Sequence, residues 1–298
     1  MKVRRVNTSK KQKLPKQVDA PNYRYWQALY MAFYSSRLYV DVVKYWRGFG
    51  LLYLLLLISV ASIPLSIRVI IDFNQYFDDK LISPIQSLPP LKIHNGEVFF
   101  DKPMPYVLKD KQGKVVALID TELDFKELEH RYPDVQVAVN RDSIYFKTPQ
   151  FTSFLKPDAP LGQEDIVIQK LSEDISDVFV PKKWVKSSGV LQLKWITDAL
   201  IYPMITAFFF GLYLTFFLVL TMMSQTVAWL FFKCRLNFKE AARLLMVSSS
   251  AQVMLLLFLL SADHLFTGLG IVCVALGAIY FCYGVISYKR ESKRLARA

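Results

Sequence analysis

The residues able to do chemistry are few and scattered. His94, His130 and His264 are the three histidines, and none has a partner at metal-ligand spacing, since the chain contains neither H-E-x-x-H nor C-x-x-C. A glycine-rich phosphate loop and a G-x-S-x-G nucleophile elbow are also missing. The acidic stretches "FDD" (77–79) and "IDTELD" (119–124) have the charge to hold a cation. Their composition fits a solvated loop or a helix N-terminus better. Cys234, Cys273 and Cys282 lie in or beside apolar runs and read as small hydrophobes. These observations predict no catalytic residue, no metal ligand and no cofactor, and a protein that is not an enzyme.

The other candidates are charges at the edges of apolar runs, where ionisable groups mark function by default. Arg68 stands about 28 Å of helical rise beyond Phe49, close to the far edge of a hydrocarbon core. Asp198 opens the next apolar run, and Asp263 and His264 follow the third. A structural ion pair between Arg68 and Asp198 would satisfy both groups, with Asp263 as the other partner. The same charges would also suit a polar vestibule at the mouth of a transport path. The sequence offers no pair of interrupted helices in matching positions to support an inverted-repeat transporter. Ser248–Ser250 and Gln252 form a polar patch within the third run, suited to helix–helix hydrogen bonding.

The elements that must carry these residues are membrane spans. The chain has 298 residues, 53% of them hydrophobic, with formal charge +12. Its apolar residues concentrate in runs of about 20, long enough to cross a core of roughly 30 Å. The spans are expected at 49–71, 196–233 (the second, with a cytoplasmic extension), 244–261 and 265–288. The first reads as an uncut signal anchor, because 48 residues precede it. The stretch "ITAFFFGLYLTFFLVLTMMSQTVAWLFFK" has no Gly, Pro or Asn–Asp turn between Thr215 and Phe232 to build a hairpin, and so crosses once. Charge supports that parity. Lys and Arg crowd the region before the first span, the loop 234–243 and the tail 289–298, whereas 72–195 holds 19 acids against 16 basic residues. Both termini are expected in the cytoplasm and 72–195 outside.

The fold class expected is an all-α membrane bundle of four transmembrane helices with an inserted small α+β extracytoplasmic domain. Within 72–195, Asn95–Gly96 marks a two-residue hairpin, and turns near Gln112–Gly113 and Asn140–Asp142 repeat the pattern. "ELDFKELEHRY" reads as helical, and so does "QEDIVIQKLSEDISDVF", from Ile166, Leu171, Ile175 and Val178. Residues 1–21 form a basic arm of disordered composition. Residues 22–48 read as an amphipathic helical region on the inner leaflet, broken at Ser35–Ser36. Trp26, Tyr30, Trp46 and Trp229 would anchor the chain at membrane interfaces. The partners expected are the lipid bilayer and a protein or second copy, with no nucleic acid.

The stretches "WQALYMAFYSSRLYVDVVKYWRGFGLLYLLLLISVASIP", "NGEVFFDKPMPYVLKDKQGKVVALIDT" and "LNFKEAARLLMVSSSAQVM" resemble bacterial membrane proteins labelled maltodextrin-utilisation proteins, which are distantly similar to Yip1-like membrane proteins. The resemblance implies an accessory role near sugar uptake in the bacterial inner membrane and brings no catalytic residues with it. The function expected is therefore an accessory or scaffold protein whose outer domain binds a partner protein, an envelope component or a small ligand. A transporter or channel subunit is the alternative, and a membrane enzyme the second. Reporter fusions placed after Ala298 and before Tyr23 should behave as cytoplasmic, and an insertion at Gly113 as exported. An exported C-terminal reporter would overturn the single crossing.

Overall fold

The computed structural model describes residues 23–109, 113–122, 128, 131–132, 135–147, 166–172 and 177–295. The basic arm, His130 and most of "ELDFKELEHRY" lie outside these residues. The chain divides into two compact units, one from Met1–Leu65 with Ile205–Ala298 and the other Ser66–Met204. Among the described residues, two helices are long and apolar enough to cross a membrane, Val190–Phe232 and Leu269–Arg294. Two bent helix pairs, Leu51–Ala61 with Ile63–Ser87 and Phe238–Ser248 with Ser250–Ser261, also qualify if each pair counts as one span.

In the first unit, α1 (Tyr25–Met31) and α2 (Ser36–Lys44) meet at the expected break, where Ser35 Oγ accepts from Leu38 N at 3.4 Å. Leu38, Tyr39, Val42 and Val43 recur at helical spacing on one face of α2, and all four are buried. That face packs on α8 (Phe238–Ser248) and α10 (Leu269–Leu295), not on lipid, so α2 is a core helix and the expected interfacial role does not extend to it. The 234–243 region is corrected as well. From Phe238 it is helical, started by a capping box in which Glu240 Oε2 accepts from Asn237 N at 2.9 Å. Every residue of α8 from Ala241 to Ser248 is buried.

Two glycines are required where helices meet, Gly50 by its backbone conformation and Gly284 by space. A Cβ at Gly50, which precedes α3 (Leu51–Ala61) with φ +87°, would stand 3.4 Å from Arg243 Cα. A Cβ at Gly284 in α10 would stand 2.7 Å from Leu244 Cδ1 and 2.9 Å from Tyr39 Cδ1. The long apolar run is one helix, α7 (Val190–Phe232), 43 residues without a hairpin. Lys233 ends it in the left-handed region at φ 52°, and Lys289 Nζ donates to the Phe232 carbonyl at 2.6 Å.

The second unit holds the later part of α4 (Ile63–Phe77), a π-helical turn Asp78–Ile82, α5 (Ser83–Ser87), eight strands and α6 (Pro181–Ser187). The three hairpins read from the sequence are present. They are β1 (Leu91–His94) with β2 (Glu97–Phe99), β3 (Tyr106–Lys109) with β4 (Val115–Ile119), and β5 (Val137–Val139) with β6 (Ser143–Lys147). Asn95 and Gly96 both take positive φ, 51° and 75°, as a two-residue turn of the I′ kind demands. The segment "QEDIVIQKLSEDISDVF" is not helical where it is described. Its β-branched alternation forms β7 (Ile166–Lys170) beside β6, and β8 (Asp177–Phe179) pairs with β1. The sheets run β2-β1-β8 and β3-β4-β5-β6-β7, with β4 and β5 parallel. A parallel pair needs a crossover connection, and Leu128 and Val135 belong to the segment that joins the two strands. Ala117, Ile119, Val137 and Val139 pack towards Phe77, Ile85, Leu91 and Val185. Leu118, Ala138 and Tyr145 pack the other way, under Leu128 and Val135.

Gly284→Leu should lower stability in detergent by about 1–3 kcal/mol through overpacking. Gly270→Leu in the same helix, where a Cβ meets nothing within 4 Å, should leave it nearly unchanged. A thermal unfolding scan of both variants checks the contrast, and equal losses would contradict this packing.

Candidate functional site

Asp198 sits in a ladder between the start of α7 and α4 with the π-helical turn that follows it. Asn74 Nδ2 donates to Asp198 Oδ1 at 3.0 Å, and Lys194 Nζ donates to both Asp78 oxygens at 2.8 and 2.9 Å. The steps advance four residues along one helix and retreat four along the other, which is an antiparallel register. It brings Asp198 level with Asn74, six residues and about 9 Å of rise beyond Arg68. Arg68 instead pairs with Asp72, one turn along its own helix, Nε to Oδ2 at 3.5 Å. These contacts replace the expected Arg68–Asp198 pair. Asp263, the other partner considered, belongs to the first unit, where it takes φ 56° after α9 (Ser250–Ser261) and its N–H reaches Leu260 O at 3.3 Å. His264 Nδ1 contacts the Ala262 carbonyl in the same turn.

Of the expected membrane anchors, Trp26, Tyr30 and Trp229 are about half exposed. Trp46 is a correction. Only 4% exposed, it stands edge-on against Tyr25 with ring centroids 4.6 Å apart and lies 5.7 Å from Tyr53, so its ring is part of the core.

The first unit carries a buried polar seam at its two helix breaks. Ser62 separates α3 from α4, and its Oγ lies 3.0 Å from Thr206 Oγ1. Ser249 separates α8 from α9, which bend by 42°. No such paired interruptions are legible in the sequence. Its polar residues were visible, but serine within an apolar run does not announce a break. Hydroxyls that bond back to the preceding turn bend helices, and here Ser248, Ser249 and Ser250 donate to Leu244, Met246 and Val247 carbonyls at 2.7, 2.7 and 2.6 Å. Ser250 thereby uses its proton, so the Tyr53 hydroxyl, 2.6 Å from Ser250 Oγ, is the donor between them. Arg243 is also buried. Its Nη2 donates to the Val43 carbonyl at 2.9 Å, while Nε has no hydrogen-bond partner. Nothing in a basic cluster signalled that one of its members would be internal.

Beside the second break is an apolar groove of about 250 Å³ between α7, the α8–α9 junction and α10. Phe216, Phe217 and Phe281 supply aromatic walls, and Ser224, Ser249 and Gln252 supply its polar atoms. No group of three or more His, Cys, Asp or Glu able to hold a metal occurs among the described residues. The groove offers apolar contact with a few fixed hydrogen-bonding groups.

Asp198→Ala and Arg68→Ala should each cost on the order of 1 kcal/mol or less, and the double variant should lose their sum to within about 0.5 kcal/mol. Thermal scans of the three variants check this, and a double variant losing clearly less than the sum would restore a direct coupling.

No curated protein and no solved structure matches the chain. The match to a family model spans residues 26–286, from α1 through both helix breaks and nearly to the end of α10, and on that coverage the chain belongs to the family described as "Protein of unknown function (DUF1189)".

Proposed function

We propose that this protein is an accessory or scaffold protein of the bacterial inner membrane, in which the Ser66–Met204 unit lies outside the cytoplasm and binds a partner. The observation that carries this reading is the unit's own apolar core, Phe77 to Val185, which supports a separately packed module able to present a surface of its own. Its small sheet supports the same role. Cross-strand pairing aligns Phe99, Lys92 and Val178 in one row, and Phe99 and Val178 are each 51% exposed. An apolar pair flanking a cation suits a protein surface with a hydrophobic strip and a carboxylate. The resemblance to maltodextrin-utilisation proteins favours a partner near sugar uptake.

A photo-crosslinking amino acid at position 99 or 178 in intact cells tests the reading. One discrete adduct of constant mass is expected from both positions, abolished by Lys92→Glu and absent from position 114, just before β4 of the five-stranded sheet. Uniform labelling at all three positions, or none, would count against it.

A transporter or channel subunit is the second reading, favoured by the two bent helix pairs. Interrupted helices with buried polar groups at the breaks are how many transporters form a central site. Solute flux into liposomes containing this protein alone would support it over the accessory role.

A further inference from the structure

The groove beside the second break has one feature that lipid packing alone does not account for. Gln252 is 7% exposed, lines the groove, and has no hydrogen-bond partner among the described residues. Its Oε1 lies against the backbone of Gly277, where an added Cβ would stand 2.2 Å away. The amide is thus held in place by a glycine that leaves room for it. An unpaired amide in an apolar medium costs several kcal/mol. A bare acyl chain filling the groove would leave that cost in full.

The other polar atoms narrow the chemistry. Ser224 Oγ donates to Thr221 O at 2.8 Å, and Ser249 Oγ donates to Met246 O at 2.7 Å, so both serines have used their protons. Besides the weak thiol of Cys282, the unused donors in the groove are the two hydrogens on Gln252 Nε2, and an occupant must bring an acceptor to them. Depth narrows it again. Gly277 is eight residues from Leu269 and twelve from Lys289 in α10, about 12 and 18 Å of helical rise. That is well inside a hydrocarbon core of about 30 Å, below the level of a glycerolipid's ester carbonyls. The flat walls of Phe216, Phe217 and Phe281 suit a ring more than a flexible chain. The volume of about 250 Å³ has room for one substituted ring and the first part of a tail.

We propose that this groove is a binding site for a lipid-soluble quinone, with a ring carbonyl accepting from Gln252 Nε2 and the tail leaving along α7 into the bilayer. Binding alone is inferred. This site is independent of the partner surface on the other unit, so failure of either reading leaves the other intact.

The test uses the full chain in phosphatidylethanolamine–phosphatidylglycerol nanodiscs, with decylubiquinone as probe and native mass spectrometry as readout. One saturable equivalent per chain is expected. Gln252→Leu should weaken binding about tenfold, the worth of one hydrogen bond. Gly277→Ala should weaken it similarly, because its methyl displaces the carboxamide and leaves the helices in place. Thermal midpoints within a few degrees of wild type show that both variants are folded. Decylbenzene, with a similar ring and tail but no carbonyl, should not compete. Three results would overturn the proposal: unchanged binding in both folded variants, equal competition by decylbenzene, or a glycerolipid retained in the groove that decylubiquinone fails to displace.

Discussion

Helix α8 has no outward face from Ala241 to Ser248, and the first unit is arranged around the need to bury it. A helix apolar on all sides is stable only when enclosed, so α2, α3 and α10 must each bring a face to it. Gly284, deep in α10, makes the approach close enough, and Gly50 turns the chain into α3 at a positive φ. The enclosed helix nevertheless includes Arg243, whose charge forces the Val43 carbonyl at the end of α2 inward as its acceptor. The N-terminal segment is thereby part of the bundle. Tyr283 donating to the Tyr34 carbonyl at 3.1 Å, and Tyr39 edge-on to Tyr283 at 5.5 Å, tie it to α10 as well.

Burial of polar groups in apolar surroundings also explains the serines. Each interruption of a helix frees carbonyls and N–H groups that lipid cannot satisfy. At Ser248–Ser250 the side chains bond the carbonyls of the preceding turn, and Tyr53 links the break to α3. At Ser62 the hydroxyl meets Thr206. Gln252, one turn further on, departs from this economy of paired groups, and that contrast gives the quinone site its argument.

The second unit solves a different problem with the same restraint. Its central strands β4 and β5 are buried on both faces, so both sides of the sheet need cover. The α4–α5 segment and α6 supply one layer, and the β4–β5 crossover supplies Leu128 and Val135 for the other. The Asn74–Asp198 and Asp78–Lys194 contacts set the register of α4 against α7 by charge and hydrogen bonding, where apolar packing alone would allow the helices to slide.

Uncharged length revealed the apolar helices, and the lack of turn residues from Thr215 to Phe232 told one helix from two. Positive-φ chemistry at Asn95–Gly96 located a hairpin to the residue. These are local properties, set by a few neighbours and by the dielectric a segment must tolerate, and so the sequence by itself determined them. Partners across helices were decided elsewhere. Asp198 lies opposite Asn74 and not Arg68 because register depends on how two surfaces mesh. Trp46 and Arg243 are internal because other helices close over them, although composition marks both as surface residues. "IVIQK" is a strand because β6 presents a free edge, and that edge outweighs a loose helical spacing. Gln252 is the clearest case. Its amide was visible in the sequence, but only the glycine on a helix 25 positions away, and the serines whose protons are already used, leave it facing an open groove. Those facts exist only after the chain has folded, because each depends on which distant surfaces exclude the solvent.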